Sequence, residues 1–351
     1  MNTPRVLVPE DIGRNAALPR RSFVRAVAAM ALAGRKEHPA DVLKASWRDD
    51  AVAERIVRAI SNPLDTSGFP AIQTTTVLPM LAPAAASTRL LALGVQLSLD
   101  GIATLRLPFV GGPGRPAAPA FIGEGAPAPA VELLTSGAIL GPACKILILS
   151  AVTSELQSAS GDTAEAVIGH ALALSCEQSM DSALFSNTPA TAIAPAGLLN
   201  GIPPLAASAA IGTQAIADDL GSLAGAIGAN GISADDMVVV TTPDLATKLR
   251  VLASPKFTNT ILSSAYLASG AVIGIAPRGL AVGYVGNVEV EPSSAAAIHF
   301  DTAPLPISAP GSLAAPVESA FQQNLIILKI RARCAWCVQP GAVAMVEGAG
   351  W

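Results

Sequence analysis

The feature that most constrains this chain is a run of 23 residues, 163–185 (TAEAVIGHALALSCEQSMDSALF), with no proline and one glycine, Gly169. Ile168, Leu172, Cys176, Met180 and Leu184 recur every four residues, with Val167, Ala171 and Leu174 beside them. That spacing lays an apolar stripe along one side of a helix. Asp162 and Thr163 offer an N-cap, Glu165 puts negative charge in the first turn, and Asn187 and Pro189 end the run. At about 1.5 Å per residue, a helix over 162–186 makes a rod of roughly 35 Å. Such a rod is a beam against which other segments pack.

The chain has 351 residues, enough for a sizeable core and two lobes. It is 51% hydrophobic, 4% aromatic and 14% charged, against about 25% charge in ordinary chains. Either much of the surface is covered by neighbours, or the coding is biased towards Ala and Pro. Mean hydropathy is +0.50, yet no run of about 18 unbroken, uncharged apolar residues occurs. The best candidate, 77–99, is interrupted by Pro79, Pro83 and Arg89, so no membrane partner is expected.

Charge is unevenly spread. Residues 1–60 hold 11 Lys and Arg against 7 Asp and Glu, and the remainder holds 11 against 19. A basic N-terminal arm on an acidic body suits contact with a polyanion or an acidic partner. Arg20, Arg21, Arg25, Arg55 and Arg58 are its candidate contacts. No aromatic interleaving and no recognised nucleic-acid motif sharpens that reading.

Arg20-Arg21-Ser22-Phe23-Val24-Arg25 precedes an apolar run ending in Ala31-Leu32-Ala33, the pattern of a twin-arginine export signal. The run is short and Ala-rich, however, and the next segment continues as amphipathic helix with Pro39 near its start. Two arm helices are therefore expected, 22–33 and 39–60. The four cysteines do not make a disulfide framework. Cys334-Ala-Trp-Cys337 has metal-like spacing but no second pair. It lies in a strand-like run, where residues three apart face opposite sides, so its role is structural.

Residues 61–87 read as an extended linker rich in Pro, Ser and Thr. Residues 94–109 read as a strand, a turn at Asp100-Gly101 and a second strand. The tip at 111–119 is Gly- and Pro-rich but lacks the Lys, Ser/Thr and strand-to-helix context of a phosphate cradle. The whole of 97–141 reads as a long two-stranded excursion with little core of its own, the kind of arm a partner holds. Residues 144–152 are a buried strand. In the second lobe, 213–227 and 243–252 read as helices, 237–241 and 270–290 as strands. Residues 324–333 and 342–346 close the chain as strands expected to return to the beam helix, which makes the second lobe an insertion.

In order and spacing these parts resemble a tailed-phage major capsid protein of the Hong Kong 97-type fold. Phe121-Ile-Gly-Glu124-Gly125 resembles the family's aromatic-x-Gly-Glu-Gly stretch in the extended loop. Cys144-Lys145 through Thr153-Ser154-Glu155-Leu156 resembles the strand and Ser/Thr-x-Glu-Leu turn before the spine helix. Met180-Asp181-Ser-Ala-Leu-Phe185 resembles that helix's ending, and Gly197-Leu-Leu-Asn-Gly201 the stretch after it. Phe321 to Arg333 with Pro340-Gly-Ala-Val-Ala344 resembles the last peripheral strands, and Ser22-Phe-Val-Arg25 an arm helix.

The resemblance implies an α+β fold: an N-terminal helical arm (1–70), a peripheral domain (71–204 and 319–351) with extended β-hairpin loop 97–141 and spine helix 162–186, and an inserted axial domain (205–318). It implies self-assembly through pentamers and hexamers into an icosahedral shell around double-stranded DNA. Portal, scaffold or decoration proteins are further possible partners, and the location is the virion, assembled in a host cytoplasm. Arg106, Arg115, Phe121, Glu124 and Glu155 then belong to subunit contacts, and Ile168, Leu172, Met180 and Asp181 to the spine helix. Some family members weld subunits through a loop Lys, but 97–141 contains no Lys, so assembly is expected to be non-covalent.

No catalytic, cofactor or metal set is expected. His38, His170 and His299 stand apart, and no HExxH or GxSxG occurs. Asp218-Asp219 and Asp235-Asp236 read as a solvated helix face and a turn. Two other readings stay open: an encapsulin-type compartment shell, which shares the fold, and an exported Ala/Pro-rich binding protein.

Overall fold

The computed structural model describes residues 20–33, 38–48, 50–61, 82, 84–107, 138–153, 161–252, 257–286, 289–293, 296–298 and 318–351. The fold is α+β. Three N-terminal helices come first: α1 (Arg20–Ala33), α2 (Pro39–Ser46) and α3 (Ala51–Ser61). The single helix expected over 39–60 is two, because Asp50 interrupts it. The Asp50 carboxylate accepts from the Ala53 N–H at 2.9 Å, and its carbonyl accepts from Glu54, so Asp50 caps the start of α3. Nor does α1 behave as an arm. Phe23, Ala26, Val27, Ala28, Ala29 and Met30 are all buried, so its apolar surface runs almost all round and needs cover on every side. That cover comes from α2, α3, the beam helix and two strands of the first sheet.

The beam helix, α5 (Gly161–Leu184), runs 24 residues. Helix α4 (Ala86–Leu93) packs beside it. Ile168, Cys176, Met180 and Leu184 are buried, as the four-residue spacing requires, whereas Leu174 is half exposed and lies off the stripe. At Gly169, α1 crosses so closely that a Cβ would stand 2.9 Å from Val24 Cγ1, which is why a helix former is absent there.

The first sheet is organised on β13 (Leu325–Val338), 14 residues long. β4 (Cys144–Thr153) pairs antiparallel along one edge, from Cys334 opposite Cys144 to Leu325 opposite Thr153. Along the other edge run β9 (Leu280–Tyr284) and then β10 (Glu289–Ser293), both antiparallel. β1 (Val95–Ser98) adds in parallel outside β9. The hairpin expected within 94–109 is therefore not formed: β1 leaves for β9, and β2 (Leu105–Leu107) pairs with β3 (Ala138–Leu140) instead. The excursion expected beyond this pair falls on 108–137, outside the described residues.

The second sheet has the order β5-β14-β8-β6-β7, formed by β5 (Leu205–Ala206), β6 (Val238–Thr241), β7 (Ile261–Ser263), β8 (Val272–Ile275) and β14 (Val343–Glu347). Helices α6 (Thr213–Gly228) and α7 (Pro243–Leu252) accompany it. β6 is buried throughout, because it is covered on both faces. Val238 and Val240 join the core of α1 and α5, while Val239 joins that of α6 and α7. A small pair, β11 (Ala297–Ile298) and β12 (Glu318–Ser319), completes the described strands.

Two segments lie on the other side of the division expected from sequence. Residues 280–293, assigned to the axial part, are in the first sheet, and the closing strand β14 is in the second. The cause is a junction of two crossings. The chain passes from β8 to β9 through Pro277–Gly279 and from β13 to β14 through 339–342. The crossings bond to each other, Gln339 N–H to the Gly279 carbonyl (2.7 Å) and Ala276 N–H to that of Ala342 (2.9 Å). A Cβ on Gly279 would stand 2.4 Å from that of Ala342, so only glycine permits the approach.

Because α1 is core, Phe23→Ala is expected to cost about 3–5 kcal/mol, read by chemical denaturation. A chain starting at Gly34 is expected not to fold cooperatively. An unchanged melting transition in that truncated chain would restore the export reading.

Candidate assembly surface

Large apolar side chains are exposed on both lobes. On β4, Ile148 turns inward while Leu147 (44% exposed) and Leu149 (47%) turn out beside Lys145. β13 places Lys329, Arg331 and Arg333 on that same outer face, since they stand opposite Leu149, Leu147 and Lys145. Lys329 is ion-paired with Glu291 of β10. Away from the sheet, Ile193, Ile211 and Phe321 are more than 80% exposed.

The β2–β3 pair sits beside a small core of its own. Leu140 is buried with Leu97, Leu99, Ala281 and Ala335. Arg106 stands opposite Ile139 on the β2–β3 ladder, and both are exposed. Beside this base is a cleft of about 280 Å³, bounded by Ile139, Cys144, Pro195, Leu198 and Trp336. The connector after α5 forms its far wall. It is held there by Trp336 Nε1–H donating to the Ala196 carbonyl (2.8 Å) and Leu198 N–H to that of Leu184 (2.8 Å).

Of the other residues singled out from sequence, Arg115, Phe121, Glu124 and Glu155 lie outside the described residues. Ile168, Met180 and Asp181 are buried along α5, on which Leu172 also lies. Asp181 Oδ1 accepts from the Ser87 N–H (2.8 Å), tying α5 to the start of α4. Arg20 opens α1, and Arg55 and Arg58 lie on α3. Arg21 is exposed. Arg25 is not an outward arm cation: its Nη1 donates to Asp50 Oδ2 at 3.0 Å, as does the Ser22 hydroxyl. The sequence reading missed Asp50 in this role. Its signal was the Asp-Ala-Val-Ala start of α3, which resembles a cap. It also missed Asp219, which is buried and accepts from Trp351 Nε1 (2.7 Å) and the Ser208 N–H (2.7 Å).

The cysteines carry no reactive site. All four are free. Burial pushes the Cys176 and Cys334 thiols up to about 12 and Cys337 to about 11, so none is a thiolate at neutral pH. Cys334 and Cys337 belong to different core clusters on opposite faces of β13. Among the described residues no group of three or more His, Cys, Asp or Glu could hold a metal ion. No described helix is long and apolar enough to cross a membrane.

Two outcomes are expected from this geometry. Asp181→Ala strands the buried Ser87 N–H and is expected to cost about 1–3 kcal/mol in urea unfolding, and Asp181→Asn less. Burial alone would raise the Asp50 carboxyl, but the bonds from Ala53, Arg25 and Ser22 outweigh it and hold it below the ordinary 3.8. Its stabilisation is thus present above pH 3.8 and lost as pH falls through the lower folded value. Asp50→Ala should therefore flatten the acid limb of the stability–pH curve while lowering the neutral plateau.

No family model matches the chain, and no curated protein matches it. Several solved structures are similar. A chain from Microbacterium phage Oxtober96 is 17% identical, covering 75% of this chain and 91% of its own, with a TM-score of 0.46. The satellite phage P4 procapsid, solved with its size determination (Sid) protein, gives 8% identity, 84% and 97% coverage and a TM-score of 0.47. The virus-like particle from Pyrococcus furiosus gives 12%, 79% and 97%, and 0.45. The solved structures to which this chain is similar thus include a phage, a procapsid and a virus-like particle.

Proposed function

We propose that this chain is the major subunit of an icosahedral shell of the Hong Kong 97 type, completed only by contacts with its own copies. One observation carries the reading. A ladder of three residue pairs, 105–107 with 138–140, closes a 30-residue span so rich in Gly and Pro that it can bury little of itself. The exposed leucines of β4 and the sparse charge support the same conclusion, since head-to-tail contacts between copies close into rings and shells when the rotation permits. In this reading α5 is the spine, the span between β2 and β3 is the extended loop, and the β6–β8 sheet with α6 and α7 is the axial part. Arg106, Arg115, Phe121, Glu124 and Glu155 make subunit contacts. The cargo is double-stranded DNA, held by non-specific contact with basic residues of the first 60, and portal, scaffold or decoration proteins are candidate further partners. The chain is structural and not an enzyme. The buried place of α1 speaks against the exported-protein alternative.

Expression of the full chain is expected to give closed particles in negative stain. Nuclease-protected DNA inside supports the phage reading, whereas a co-purified enzyme cargo would indicate an encapsulin-type compartment. With no Lys in 97–141, boiled particles should run as a single band on a denaturing gel. A ladder of linked subunits would overturn the non-covalent reading.

A further inference from the structure

The first sheet has two outer edges beside β13's partners, and they are built differently. Val285 N–H donates to the Arg333 carbonyl, so Arg333 turns its backbone polar groups towards β9. Backbone groups alternate along a strand. Cys334, Ala332 and Ile330 therefore turn theirs towards β4, where they meet Cys144, Ile146 and Ile148. Lys145, Leu147, Leu149 and Ala151 must then aim their N–H and C=O groups away from the sheet. No described strand takes them up. On the far side, Glu289 and Glu291 stand opposite Arg331 and Lys329 and bond to β13, which leaves Val290 and Pro292 facing outward. Pro292 has no N–H to offer, the usual device that blunts an edge. The β4 edge has no proline, one charge at its end, and two exposed leucines.

We propose that the β4 edge is a pairing site for a second copy of this chain, β4 against β4 in antiparallel about a two-fold axis at Ile148. This rests on the shell-subunit reading and names one of its contacts. The strand is self-complementary in that register. Residues with outward backbone groups meet one another, Leu147 opposite Leu149 of the second copy and Lys145 opposite Ala151, so all four of these residues find a partner. The exposed leucines make cross-strand apolar pairs. The two Lys145 side chains stay about 20 Å apart, six strand residues, and do not repel. Two sheets become one sheet running through both copies.

The test uses Leu149→Pro in the full chain. It removes an N–H that the subunit's own ladder does not use, and Leu149→Thr keeps that N–H as the control. Sedimentation velocity should show the concentration for half-association rising by about tenfold or more in the proline variant, with the control near wild type. Association of Leu149→Pro equal to wild type overturns this pairing while the shell reading stands. A wild-type chain that never associates overturns both. Hydrogen exchange on wild-type protein decides the matter if the proline variant misfolds. Associated chains should protect the Leu147 and Leu149 amides, whereas Ile146 and Ile148 are protected in dispersed chains too. Exchange of Leu147 and Leu149 in the associated form sinks the proposal. With the free Cys144 replaced by Ser, a nitroxide on Lys145→Cys should report an inter-copy distance near 20 Å, and its absence in associated protein sinks the proposal as well.

Discussion

The structure depends on the backbone ladder of β13. Its 14 residues bond β4 on one edge and β9 with β10 on the other, so segments separated by more than a hundred residues meet on one strand. The inward side chains Ile326, Leu328, Ile330, Ala332 and Cys334 supply the floor on which α1 and α5 rest. The outward ones, Lys329, Arg331 and Arg333, fill the opposite face with charge. Further along that face the alternation places Ala335 and Cys337 in the small core with Leu97, Leu99 and Leu140, so one alternating sequence serves two cores.

The N-terminal helix shows how packing can overrule a local reading. Arg20-Arg21 followed by small apolar residues is the grammar of an export signal, and basic charge nearby suggests a free arm. Ala26, Ala28 and Ala29 are small because α1 is gripped on several sides, and Gly169 leaves room for Val24. Arg25 is basic because Asp50 waits for it. Each residue is explained by a contact made far along the chain.

Periodicity made the helices legible. The four-residue spacing of α5 gave its extent to within two residues and its buried side, and α6 and α7 lie close to the spans their apolar patterns predict. Strand existence was legible too, but strand partnership was not. Val95–Ser98 looks like half of a hairpin with the alternating residues just after it, yet it pairs with residues nearly two hundred positions away. Nothing local distinguishes the two, because an alternating strand fits any neighbour of matching register. The same limit hid the exchange of 280–293 and 343–347 between sheets. Asp181 was singled out by the motif that ends the beam helix, and it ties that helix to α4, but the role of Asp50 depends on a partner 25 residues distant.

The two crossings at Gly279 and Ala342 have a mechanical consequence. One covalent link between two sheets is a swivel, but two links fastened side by side resist both bending and torsion. Val238 and Val240, reaching from the second sheet into the first core, stiffen the joint further. In the proposed shell, such rigid blocks would meet differences in local curvature at their seams, by adjusting loops and edges, and not by flexing each subunit across its middle.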